Sequence, residues 1–366
     1  MNERGTKVER AARLLLRNDG AISVVVVVLG FLVGTLLIFL TGRNSLGMYK
    51  ALLQAATGIY QNLRGDWRWE IRYTGEWLTY SVPYILCGLS MGFAARSGLF
   101  NIGGEGQFII GMSAAVLAAF FAPAIPVLHW ITAILFAVIC GALWGGIAGF
   151  LKSKFEVSEV VATIMMNYIA LYLSRIVIQR IPGTDSRHTP DFPQTVLLAT
   201  GFLTRLTNGS HLNLGLVLMI FAALLYWLVM EKSKTGFALR ATGLNRAAAR
   251  AAGMPVGACI VASMCFAGAF AALGGGIVAL GSFHFGRVLG GMDGYGFAGI
   301  AVALVGNSRA GGTVAAGLLF GLLAASAPVM QDNRIPVEII QIIQGVIVVF
   351  IALREGFRLF LRRKYA

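Results

Sequence analysis

Residues 106–151 run without a single Asp, Glu, Lys or Arg. A helix crosses a bilayer in about 20 mostly apolar residues, so this stretch is too long for one crossing. It is also too apolar for a surface that faces water. Pro123 and Pro126 interrupt it and divide it into two helices joined by a tight turn. Residues 21–42 form another uncharged run. It is longer than a signal-peptide core, and Thr41-Gly42-Arg43-Asn44 offers no cleavage pattern, so it reads as a retained helix. Further apolar runs cover 79–95, 157–179 (broken only by Arg175), 212–230, 258–280, 294–308, 310–329 and 337–353. The expected fold is an all-α polytopic bundle of about ten spans.

Composition agrees. The 366 residues are 57% apolar and 13% charged, with mean hydropathy +0.76, against about 45–50% and roughly 25% in soluble domains. That excludes a disordered chain, a disulfide scaffold and an ordinary water-soluble enzyme. Cys87, Cys140, Cys259 and Cys265 lie in apolar runs with no Cys-x-x-Cys pair, and read as small hydrophobes. The net charge of +14 is clustered between apolar runs without aromatic interleaving. Anionic lipid is therefore the expected partner, and nucleic acid is not.

Basic residues orient the bundle. With the amino terminus inside, the inner segments carry 19 Lys and Arg and the outer segments 10. Both termini are expected on the cytoplasmic side. The organisation follows: a cytoplasmic segment 1–20, a transmembrane unit 21–353 and a basic cytoplasmic tail 354–366. Segment 43–76 mixes charges with Trp67, Trp69, Tyr73 and Trp77, which suits an amphipathic stretch along the outer interface.

Two stretches resemble each other. Gly141-Ala-Leu-Trp-Gly-Gly, a polar turn and Val157-Ser-Glu159 match Gly317-Leu-Leu-Phe-Gly-Leu, a polar turn and Pro336-Val-Glu338. A glycine-rich acidic segment precedes each, Asn101-Ile-Gly-Gly-Glu105-Gly-Gln107 and Gly290-Gly-Met-Asp293-Gly-Tyr-Gly296. The first turn is expected inside and the second outside, which makes the halves inverted copies, as in many transporters. The alternative is chance likeness between glycine-rich helices.

Asn101, Glu105 and Gln107 enter an apolar helix beside three glycines. They line a polar path or gate, or they hold neighbouring helices together. Glu159, Thr163 and Asn167 follow at four-residue steps and share one helical face with Ser174 and Arg175. That face lines a pathway or is interhelical glue. In the inner loop 231–257, Asn245 is an N-cap, Gly253 fits the C′ position and Pro255 ends the helix. Such a helix is a docking element or an ordinary loop helix. Gly294-Tyr-Gly296-Phe-Ala-Gly299 fits a dinucleotide pattern but lacks the βαβ setting, and reads as helix packing. No Gly-x-x-x-x-Gly-Lys-Ser/Thr occurs, the four histidines show no metal spacing, and no catalytic set is legible.

Residues 98–107, Thr163-Ile-Met-Met-Asn-Tyr-Ile-Ala170 and Gly243-Leu-Asn-x-x-Ala-Ala-x-x-Ala-Gly253 resemble the membrane permease subunits of ABC importers. The resemblance is to the branched-chain amino acid, ribose and nucleoside superfamily, in its nucleoside or simple-sugar branch. It spans roughly residues 75–353. It implies a non-enzymatic permease paired with a second, different permease, two cytoplasmic ATPase subunits that bind ATP and magnesium, and an external substrate-binding protein or lipoprotein. No cofactor or metal is implied for this chain. It also implies ATPase docking through Gly243, Leu244, Asn245, Ala248, Ala249 and Gly253. Where the family often has another apolar residue, this chain has Gly104. Nucleosides are the expected cargo, with ribose-like sugars or riboflavin as alternatives. A self-sufficient secondary transporter would use Glu105 and Glu159 as coupling groups and leave the 231–257 helix without a task.

Overall fold

The structure is a computed structural model that describes residues 19–62, 65–336 and 338–353. Segments 1–18 and 354–366, which hold almost all of the expected amino-terminal segment and the basic tail, lie outside the described residues. In chain order the helices are α1 (Asp19–Leu40), α2 (Leu46–Thr57), α3 (Ile71–Arg96), α4 (Gly104–Phe121), α5 (Leu128–Phe155), α6 (Glu159–Gln179) and α7 (Gly201–Leu206). They continue as α8 (Gly215–Trp227), α9 (Lys234–Leu244), α10 (Arg246–Ala251), α11 (Val256–Gly281), α12 (Tyr295–Val305), α13 (Ala310–Asp332) and α14 (Glu338–Ala352). Two small antiparallel sheets pair β1 (Ile59–Gln61) with β2 (Trp67–Trp69), and β3 (His188–Asp191) with β4 (Phe285–Arg287).

Eight helices among the described residues are long and apolar enough to cross a membrane. The ten expected apolar runs are all helical, but two of them and the segment 43–76 differ from expectation. Residues 294–308 give only α12, 11 residues long, or about 16 Å at 1.5 Å per residue. The hydrocarbon core is about 30 Å thick, so α12 crosses about half of it. The run expected at 79–95 begins at Ile71, because its first turns carry Glu76 and Arg72 at the helix end. Segment 43–76 is not one amphipathic stretch. It contains α2, the β1–β2 hairpin with Trp67 and Trp69 exposed, and the start of α3.

The core is built from two swapped halves. Helix α3 packs chiefly on α13, and α11 on α5. The α5–α11 seam is tight: a Cβ at Gly268 would sit 2.1 Å from the Gly141 carbonyl oxygen, so only glycine lets these backbones meet, as small residues do in membrane helices generally. Taking α3 as a ruler, α12 runs beside it in the same direction. Tyr295 lies by Tyr84, Gly299 by Cys87 and Val302 by Gly88. Helix α4 runs the opposite way, starting with Gln107 against Ser90. Thus α3–α4–α5 and α11–α12–α13 are antiparallel copies. The turn after α5 lies beside the start of α11, where Ser153 contacts Gly257, whereas the turn after α13 lies beside α2, where Asn333 contacts Gly47. These turns are at opposite ends of the bundle, the arrangement an inverted repeat requires. One end carries the β1–β2 hairpin and the β3–β4 sheet and is called the hairpin side; the other carries α9 and α10 and is called the loop side.

Candidate functional site

The two glycine-rich acidic segments meet. Glu105, in the first turn of α4, is completely buried, and its carboxylate lies at the start of α12. Oε1 accepts the Gly294 N–H at 2.7 Å and Oε2 accepts the Gly296 N–H at 2.6 Å. The first N–H groups of a helix have no partner within it, and the helix dipole adds positive charge there. Helices α4 and α12 begin at the same place and run apart, so one carboxylate sits at two positive ends. The approach is close. A Cβ at Gly296 would lie 2.1 Å from the Glu105 backbone nitrogen.

The neighbouring polar residues hold the start of α4. Asn167 accepts the Gly106 N–H at 2.8 Å through Oδ1 and donates to the Ile102 carbonyl at 3.0 Å. Asn101 and Gln107 exchange amide hydrogen bonds at 2.9 and 3.2 Å, and Asn101 Oδ1 also accepts the Gly103 N–H. Thr163 is buried and donates to the Glu159 carbonyl. Asn101, Glu105, Gln107, Thr163 and Asn167 therefore form one buried cluster at the α4–α6–α12 junction. Glu159 is apart from it, on the loop side, paired with Lys152 at 2.9 Å. Farther along α6, Ser174 accepts from Ser113, and Arg175 donates to the Leu289 and Gly290 carbonyls. Arg175 thus fixes the segment that leads into α12. Asp293 in that segment pairs with Arg287.

The loop 231–257 holds two short helices where one was expected, because α9 precedes the segment 245–253. Helix α8 ends in a π-turn, Leu228–Lys232, and Glu231 joins Arg96 at the end of α3 to Arg240 on α9 at 2.8 and 2.6 Å. The expected caps are present. Asn245 Oδ1 accepts the Ala248 N–H at 3.0 Å. Gly253 has φ +78°, with Gly253 N–H donating to Arg250 and Met254 N–H donating to Ala249. These are the two bonds of a Schellman motif, and its left-handed residue favours glycine. The result is a rigid knob. Leu244 is 89% exposed and Ala248 is exposed, while Ala249 is buried against α11. Gly243 touches the backbone of Ser97 and Gly98. Six residues farther on from Ser97, past the α3–α4 turn, Gly103 abuts Thr163 in the cluster around Glu105.

A third feature escaped the sequence reading. His211, in the connection before α8, donates its backbone N–H and places Nδ1 2.8 Å from Glu76 Oε1 on α3. The two residues are 135 positions apart, with no local signal to join them. Among the described residues no three His, Cys, Asp or Glu are arranged to hold a metal ion.

This constellation is that of a transporter membrane subunit: inverted halves, a half-length helix meeting a spanning helix at a buried carboxylate, and a loop knob connected to that junction. The chain belongs to the family described as the permease component of the branched-chain amino acid transport system, which it matches over residues 73–352. It is a multi-pass membrane protein of a family of transporter permease subunits rather than enzymes. It is 38% identical to the guanosine ABC transporter permease protein NupP of Bacillus subtilis, with 96% of both chains covered. The nucleoside ABC transporter permease protein NupB of Lactococcus lactis is 33% identical, over 91% of this chain and 90% of that one. The glucose ABC transporter permease protein TsgB13 of Haloferax volcanii is 32% identical over 77% of each. No solved structure matches the chain.

Proposed function

We propose that this chain forms the membrane path of an ATP-driven importer for nucleosides in the bacterial cytoplasmic membrane. The observation that carries the cargo is the likeness to nucleoside permeases from two organisms over nine-tenths or more of the chain. ATP and magnesium would be bound by two cytoplasmic ATPase subunits seated on α9 and α10. A second, different permease would complete the path, and an external binding protein or lipoprotein would deliver the solute to the hairpin side. Leu244, Asn245, Ala248 and Ala249 would present the knob. Gly243 and Gly253 would let it approach the α3–α4 turn and close its own end. The cluster of Asn101, Glu105, Gln107, Thr163 and Asn167 would act as the gate that this knob moves, with Glu159 apart from it on the loop side. A sugar is the second reading, favoured by the Haloferax relative.

The test is uptake of radiolabelled guanosine by proteoliposomes containing this chain, its neighbouring permease and ATPases, and the binding protein. ATP-dependent uptake that unlabelled nucleosides suppress, and glucose or ribose does not, is expected. The reverse competition pattern would make the chain a sugar permease, and uptake without ATPase subunits would make it a secondary transporter.

The basic-residue bias supports an orientation with the hairpin side outside, the loop side in the cytoplasm and both termini inside. In a chain whose native cysteines are replaced, Arg205→Cys should react with an impermeant thiol reagent on intact cells. Ala247→Cys should react only after the inner face is opened. External labelling of both would refute the ten-element, both-termini-in topology.

A further inference from the structure

We propose that a groove between α3 and the connections before α8 and α12 binds the nucleoside on this chain, with Tyr80 as the face on which the base stacks. The proposal rests on the nucleoside reading above and assigns its place. Two adjoining cavities of about 390 and 180 Å³ share Glu76, Tyr80 and His211. Together they fall in the range of about 300–1,000 Å³ usual for small-molecule sites. The larger opens towards the hairpin side past Tyr73 and Asp332. The smaller is closed by Phe283 and Tyr295. Tyr295 is the first residue of α12, between the two glycines that Glu105 holds. The groove therefore ends at the half-helix junction.

Its chemistry has two parts. Tyr80, Phe283 and Tyr295 offer aromatic faces; Tyr295 is itself packed on Tyr84 and Phe108 at 5.3 Å and the Arg287 guanidinium lies 4.5 Å over the Phe283 ring, which leaves Tyr80, 38% exposed, as the face open to a ligand. Hydrogen-bond acceptors lie beside it. Glu76 Oε1 is occupied by His211, whereas Oε2 has no partner among the described residues. Pro83 has no N–H to give the Thr79 carbonyl one turn earlier, and both residues line the smaller cavity. An aromatic face beside carboxylate and carbonyl acceptors suits a solute with a flat heterocycle and several O–H and N–H donors. A simple sugar has the donors but not the flat ring, and a lipid chain has neither. A polar Glu76–His211 pair, joined at 2.8 Å on a helix flank, also argues against contact with acyl chains.

Cutting the aromatic partner of a stacked base to alanine costs roughly 5- to 150-fold in affinity. In the assembled transporter with saturating binding protein, Tyr80→Ala is expected to lower guanosine uptake about tenfold, and Tyr80→Phe, which keeps the ring, to restore it to within about twofold. Glu76→Gln should also lower uptake. Photolysis with 8-azidoguanosine should label peptides within 73–83 and 282–295. Wild-type transporter that takes up no guanosine overturns the nucleoside reading and this site with it. Guanosine uptake with labelling confined to other helices, or with Tyr80→Ala as active as wild type, overturns the groove alone. Tyr80→Phe as poor as Tyr80→Ala overturns stacking.

Discussion

Glu105→Leu is expected to leave the protein inserted but to melt many degrees lower in detergent and to abolish transport. The leucine removes the acceptor for the Gly294 and Gly296 N–H groups in a fully buried place. A buried donor left without a partner costs about 1–3 kcal/mol. Losing the negative charge at a helix start removes about 0.3–1 kcal/mol more. For two donors the sum is about 2–7 kcal/mol, concentrated on a helix of 11 residues that cannot hold its position by spanning the bilayer. Insertion should survive, because the long apolar helices are untouched. Glu105→Gln separates charge from hydrogen bonding. It keeps one acceptor but turns an NH₂ donor towards the second N–H, so an intermediate melting temperature and impaired transport are expected. A thermal melt and an uptake assay on both variants decide it. If Glu105→Gln melts and transports as wild type does, the negative charge is dispensable and the carboxylate only fills space.

The same residue shows what the sequence carried and what it did not. That Glu105 had to be satisfied followed from an acid beside an apolar run. Its partners are 189 and 191 positions away, in a segment that resembled it only as the other half of a repeat. The repeat was legible because the fold uses the same glycine-rich start twice; the contact between the copies was not, because it is a property of the packed halves. Hydropathy likewise counted residues 294–308 as a span, since an apolar half-helix and its apolar turn add up to one long run. The caps of α10 were legible in full. A cap is local: Asn245 reaches three residues ahead and Gly253 turns the chain by its own φ. The pairing of Glu76 with His211, which shapes the groove, has no local rule behind it.

That locality makes α10 the cleanest place to test the coupling role of the loop. Ala248→Glu is expected to abolish ATP-driven uptake while leaving the permease as stable as wild type. Position 248 is the third residue of α10, and its side chain is exposed. A glutamate there completes a capping box with Asn245 and places negative charge in the first helical turn, both favourable by a few tenths of a kcal/mol to about 1 kcal/mol. Loss of function therefore cannot come from a weakened helix. It would come from bulk and charge on the face proposed to meet the ATPase. Gly253→Val attacks the same knob from the other end. A β-branched residue forced to φ near +78° costs about 1–2 kcal/mol or more, which should loosen the Schellman turn and the seat of Ala249 on α11. Because Gly243 rests on the α3–α4 turn and Glu231 ties that turn to α9, a displaced knob would also lose its hold on the segment leading to Glu105. The ATPase subunits should then fail to co-purify, or hydrolyse ATP without responding to the loaded binding protein. Normal co-purification, stimulated hydrolysis and uptake in both variants would leave α10 an ordinary surface helix and remove the mechanical link between the loop side and the half-helix junction.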